Sequence, residues 1–162
     1  MSFLRFLMLL SLVVWVGGVI FLAFVEAPTA FRPGLLPSRH LAGSVVGGSL
    51  NILHWIGLIS GVVFLASSLA YNQLSRGTPD GFALRHILIV LMLLLTAYSQ
   101  FGITPRMVAL RTSVVVIDNV PLDDSRRVEF DRLHNWSEKL EGGVLLLGLA
   151  VVYLTARQLG TN

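Results

Sequence analysis

Charge is missing from this chain in long runs, and those runs limit its fold more than any other feature. After Arg5 nothing charged occurs until Glu26, and after His40 nothing charged occurs until Arg76, with His54 the one histidine between. The stretches 86–105 and 142–156 also lack Asp, Glu, Lys and Arg. A bilayer's hydrocarbon core is about 30 Å thick and takes about 20 apolar residues as helix. Each run can host one such segment. The spacing predicts helices over residues 3–25, 41–71, 84–104 with an extension, and 124–157. Only helices and closed barrels satisfy their backbone in lipid, and the alternation of a barrel strand is absent. The expected fold is an all-α integral membrane four-helix bundle, a single transmembrane domain over residues 1–162.

Composition closes the other routes. Only 13% of the 162 residues are charged and 54% are hydrophobic, against roughly 25% charged in a soluble domain. With no cysteine, disulfide and thiolate-metal scaffolds are excluded. A net charge of +3 invites a nucleic-acid reading, but the cations lie scattered and form no basic stripe. The first segment has one early cation, as a secretory signal would. Its apolar run exceeds the usual h-region of about 7–15 residues and no clean cleavage site comes after it, so it reads as a span.

The connections differ in kind. Loop 1, residues 26–40, holds Pro28, Pro33, Gly34 and Pro37 and reads as irregular. Loop 2, residues 76–81, is a short Pro/Gly turn. Loop 3 mixes signs, and Pro121 followed by Asp123, Asp124 and Ser125 reads as a helix start with acids at the positive dipole end. A fourth helix of residues 124–157 would be roughly 50 Å long. Its first turns should therefore stand in water, paired with the end of the third helix as a hairpin. Loops 1 and 3 with the start of the fourth helix carry Arg32, Arg39, Arg106, Arg111, Arg126, Arg127, Arg132 and Lys139. The opposite face carries Arg5, Arg76, Arg85 and Arg157. The Lys/Arg bias places loops 1 and 3 in the cytoplasm, although Arg5 opposes it.

Polar groups inside these spans are the candidate site. Counting back about 20 residues from Arg157 reaches Ser137, so Glu141 lies about one turn inside the hydrocarbon. There it must protonate or find a partner, and it should face the bundle interior. Phe130, His134, Ser137, Glu141 and Gly148 share one helical stripe. In the second helix Gly47, Asn51, His54, Gly57 or Leu58, and Gly61 do the same. The third helix offers Thr96, Ser99, Gln100 and Arg106. All these polar groups fall in the half of the membrane toward loops 1 and 3. The other half reads as apolar apart from Ser and Gly, with His40 and His86 at the interfaces.

Glu141 is thus expected within reach of at least one of Arg106, His54, Gln100 or His134. The plainer reading of Asn51, Ser99, Gln100 and Ser137 is helix packing through interhelical hydrogen bonds. Gly17-Gly18, Gly47-Gly48 and Gly142-Gly143 read as sites of close helix approach. Haem b would need two axial histidines at one depth, for which only His54 and His134 share a membrane half. A divalent metal would have His54, His134 and Glu141 as candidates, without a recognised spacing. No Ser-His-acid signature or cysteine nucleophile is present, so no catalytic residue is assigned.

The same segments carry a resemblance. Trp15-Val16-Gly17-Gly18 with Phe24-Val25-Glu26-Ala27-Pro28, Leu53-His54-Trp55-Ile56-Gly57, Tyr98 through Arg106, and Phe130 through Ser137 with Leu140-Glu141-Gly142 are similar to the transmembrane-protein-205-like family, in bacteria a domain of unknown function. The resemblance covers nearly the whole chain and implies a four-helix membrane protein, with no reaction attached. The start of the first helix is also similar to a copper-resistance membrane domain, but methionine-rich ligand sets are missing. Three roles are expected from these features. One is a non-enzymatic scaffold or accessory subunit in a bacterial cytoplasmic membrane, with lipid, other subunits or its own copies as partners. Another is a small transport or ligand-binding unit built on the polar cluster. The last is a haem- or quinone-linked redox subunit.

Overall fold

The computed structural model describes residues 2–76, 83–114 and 116–160. The Pro/Gly turn expected at loop 2 lies, but for Arg76, outside the described residues. Four helices account for nearly everything described: α1 (Ser2–Ala30), α2 (Arg39–Arg76), α3 (Leu84–Thr112) and α4 (Ser125–Gly160). All four are long and apolar enough to cross a membrane, and no strand occurs among the described residues. The all-α membrane bundle read from the charge gaps is the fold observed.

The core forms where apolar faces meet. Met8, Leu12, Trp15 and Val19 of α1 pack with Phe64 of α2, Ile89 and Met92 of α3, and Val144 and Val151 of α4. Trp15 is only 2% exposed and lies against Gly57 and Gly61; a Cβ at Gly61 would stand 2.8 Å from its Cζ3. Those two glycines belong to the stripe read as polar, and their absent side chains make the seat for an indole. Outward, Val13, Phe24, Ile52, Ile59, Leu94 and Leu146 are exposed. An apolar surface that extends around the whole bundle is what hydrocarbon solvent requires of it.

Of the glycine pairs expected at close approaches, Gly18 faces Leu53 closely. Gly17, Gly48 and Gly142 have open space where a side chain would be, so those three make no close approach within this chain. Gly148 does, with a Cβ position 2.8 Å from Val16.

Helix α1 outruns its predicted end and α3 continues into its expected extension, and both pass a proline in the same way. A proline inside a helix lacks an N–H and clashes with the carbonyl four residues back. Both helices widen into a π turn just before their proline: Leu22–Glu26 ahead of Pro28, and Ser99–Ile103 ahead of Pro105. The Ala27 N–H then reaches the Leu22 carbonyl and the Thr104 N–H the Ser99 carbonyl, five residues back. Loop 1 is accordingly shorter than expected and begins after Ala30.

Beyond the bilayer face, the end of α3 and the start of α4 form a hairpin. Ile117 is buried beneath it, and Arg127 NH1 donates to the Ile117 carbonyl at 2.9 Å while its Nε holds Asp131 at 3.0 Å. Asp124 precedes α4 and accepts from the Arg126 backbone N–H at 2.9 Å and from its guanidinium. These hydrogen bonds, the side-chain ones first, hold the Asp124 carboxyl down at about 2.

Candidate functional site

Three helices meet at one buried imidazole. His54 of α2 is 1% exposed. Its Nε2 lies 2.7 Å from Glu141 Oε1 of α4 and its Nδ1 lies 2.9 Å from Gln100 Oε1 of α3. Gln100 Nε2 in turn donates to Asn51 Oδ1 at 2.7 Å. Asn51 and His54 are three residues apart, hence on one face of α2. Glu141 enters from α4 with its side chain 16% exposed.

Gln100 is delivered by the π turn. A widened turn adds one residue to the helical register, which rotates every later position by about 100°. Gln100 faces α2 within that turn, while Arg106, beyond it, comes out exposed. Trp55 and Phe101 close the same level on the outside, edge to face at 5.7 Å.

The bonding order fixes what the ring can do. With the Gln100 nitrogen committed to Asn51, its oxygen faces Nδ1, so Nδ1 carries a hydrogen. The proton between Nε2 and Glu141 Oε1 then belongs to the pair, either as imidazolium with carboxylate or as two neutral groups. A ring held this way can orient a carboxylate and share a proton with it. Both of its nitrogens are engaged by protein partners.

Of the residues expected to cluster, the structure brings together Asn51, His54, Gln100 and Glu141. Ser99 is fully buried, with its hydroxyl unpartnered. Ser137 is buried one turn before Glu141. Arg106 and His134 stay outside. His134 is exposed, pairs with Glu138 at 3.2 Å and stacks on Phe130. Water supplies what it needs there. His54 and His134 therefore form no axial pair, and no group of three His, Cys, Asp or Glu among the described residues is placed to hold a metal.

The family model described as a domain of unknown function, DUF4149, matches residues 10–114. The chain belongs to that family. No curated protein matches it, and no solved structure does. The DUF4149 segment runs from within α1 to the end of α3 and contains Asn51, His54 and Gln100. Glu141 lies beyond it, so the acid that completes the network comes from outside the matched region.

Two features of this DUF4149 protein escaped the sequence reading. Arg111 folds back from the end of α3 onto the first turns of α2. Its NH1 donates to the Gly43 carbonyl at 2.7 Å, and its guanidinium lies 5.3 Å from the Phe130 ring centroid. A Cβ at Gly43 would stand 2.9 Å from NH2. Gly43 and Gly47, four apart on one face, were the available signal.

The second feature is a set of interhelical bonds among polar groups at the opposite end of the bundle. Ser68 Oγ lies 2.8 Å from His86 Nε2, Arg85 donates to Asn72 Oδ1 at 3.2 Å, and Arg5 reaches the Tyr71 hydroxyl at 3.0 Å through Nε. His86 is buried within the first turn of α3. Ser68, Tyr71 and Asn72, at helical spacing, were its trace in the sequence.

Proposed function

We propose that this protein is a non-enzymatic subunit of a membrane assembly. Its internal network serves to hold α2, α3 and α4 in one register so that the outer faces can meet other subunits or further copies of the chain. The observation behind this reading is the closed chain Asn51–Gln100–His54–Glu141, in which the groups satisfy one another across three helices. Interhelical side-chain bonds of this kind are the usual glue of membrane bundles, each worth about 0.6–2 kcal/mol. The likeness to the transmembrane-protein-205-like family belongs to the same reading, as does placement in a bacterial cytoplasmic membrane with the α1–α2 and α3–α4 connections inside. Gentle extraction after crosslinking in native membranes tests it. The expected result is a discrete larger species containing this chain, and a lone monodisperse four-helix unit overturns the reading.

A second reading, a small transport or ligand-binding unit, is favoured by one feature. Glu141 is part of a buried acid–base pair and is itself still 16% exposed. Ionisable groups inside bilayers commonly line ion or proton pathways. Reconstituted Glu141→Gln protein should then lose flux that the wild type supports. Equal flux in both removes this reading.

A further inference from the structure

The outer face of α4 where it leaves the membrane carries a groove with a largely polar lining. Shallow and open, about 440 Å³ in volume, it is lined by the α4 residues Arg132, Asn135, Trp136 and Lys139, with Leu122 and, earlier in α4, Val128 beside them. The four α4 residues recur at intervals of three, four and seven and so form one stripe. Asp131, also on its rim, is held by Arg127 at 3.0 Å. Among the described residues neither Arg132 nor Lys139 makes an ion pair. Lys139 instead lies 5.5 Å from the Trp136 ring centroid.

Depth says what this groove meets. Twenty residues back from Arg157 is Ser137, so Trp136 and Lys139 sit at the hydrocarbon boundary. Arg132 stands roughly 7 Å further out along the axis than Ser137, within the headgroup layer on that side. An exposed tryptophan with two cations outside any ion pair at that level is the arrangement that anchors to phospholipid. Leu122 and Val128 wall the groove on its aqueous side.

We propose that this groove binds the headgroup of an anionic glycerophospholipid. The phosphodiester lies between Arg132 and Lys139, Asn135 donates to it, and the Trp136 ring rests against the glycerol region. Its two cations make the site selective for a net negative headgroup over a zwitterionic one. The proposal is independent of the His54 network and of the assembly reading.

The test uses the full chain in detergent, with native mass spectrometry counting bound phosphatidylglycerol against phosphatidylcholine of the same acyl chains. Wild type should prefer phosphatidylglycerol by roughly tenfold to thirtyfold at low salt, from the approximate worth of two cations near an anionic headgroup, with the preference shrinking as salt rises. The Arg132→Gln/Lys139→Gln double variant should fall to within about threefold. Arg126→Gln, which removes a cation committed to Asp124 outside the groove, should retain the wild-type preference. Quenching of Trp136 fluorescence by brominated phosphatidylglycerol, scored against Trp136→Phe, locates the bound lipid even if the double variant folds poorly. Equal binding of the two lipids by wild type, as a groove reserved for a protein partner would give, overturns the proposal. So does an equal loss in Arg126→Gln, which would mark a general charge effect.

Discussion

Two buried histidines stand at opposite ends of this bundle, and their surroundings differ in reach. His54 is bonded to residues 46 and 87 positions away, on two other helices. Around His86 the bonds span shorter distances: Ser68 is 18 residues away, and Asn72 and Arg85 are 13 apart. The His86 layer mostly ties α2 to the start of α3, with Arg5 reaching in from α1 to Tyr71. The His54 layer joins α2, α3 and α4. Loss of the first loosens α1, α2 and the start of α3 at one end of the bundle, whereas loss of the second releases α2, α3 and α4 from one another.

If the His54 layer carries the greater structural burden, Glu141→Leu should give the largest effect of any single change here. It leaves the buried His54 Nε2 without its partner, at a cost on the order of 1–3 kcal/mol. Glu141→Gln keeps an acceptor oxygen and should cost less. Unfolding titrations in a denaturing detergent measure both, and a leucine variant as stable as wild type would show that the layer contributes nothing.

A double-mutant cycle sharpens the contrast. His54→Ala with Glu141→Leu should show coupling of roughly 0.5–3 kcal/mol, because the two groups touch. Glu141→Leu with Tyr71→Phe, one change in each layer, should add within about 0.5 kcal/mol. Strong coupling between the layers would mean that the two ends of the bundle act as one unit.

On the His86 side, Tyr71→Phe removes the hydroxyl that Arg5 donates to but keeps the ring under the guanidinium, 5.0 Å from its centroid. The expected cost is about 0.6 kcal/mol, typical of a single intramembrane hydrogen bond. A loss above roughly 2 kcal/mol, measured by the same titration, would reverse the ranking of the layers.

The smallest effect belongs to the aqueous hairpin, which is outside both layers. Folding lowers the Asp124 carboxyl to about 2, from an ordinary value near 3.9. Its contribution is therefore complete above the ordinary aspartate range and is lost as pH falls through the folded value. Amide exchange at the first turn of α4 should be insensitive to this group between neutral pH and about pH 5. Protection lost there between pH 7 and 5 and abolished by Asp124→Asn would contradict the assignment.

Much of the site was legible. The depth of Glu141 required an internal partner, and His54 and Gln100 were among those named for it. Arg106 was named too, and the structure turns it outward, because the π turn before Pro105 shifts the register of everything after it. Pro105 was visible in the sequence. That its strain would be absorbed by widening the helix, rather than by ending it, was not.

What the sequence determined by itself was partition. Whether a segment enters hydrocarbon depends on the transfer free energy of its own residues, a local sum, and four uncharged runs were enough to set four spans and the all-α class. What only the tertiary structure decided was pairing. Which nitrogen meets which oxygen depends on helix rotation to within a fraction of a turn, and that rotation is set by Trp15 seated on Gly57 and Gly61, and by π turns forced by prolines. The layer around His86 shows the same limit, since Ser68 and Asn72 gain partners only when α2 and the start of α3 stand side by side.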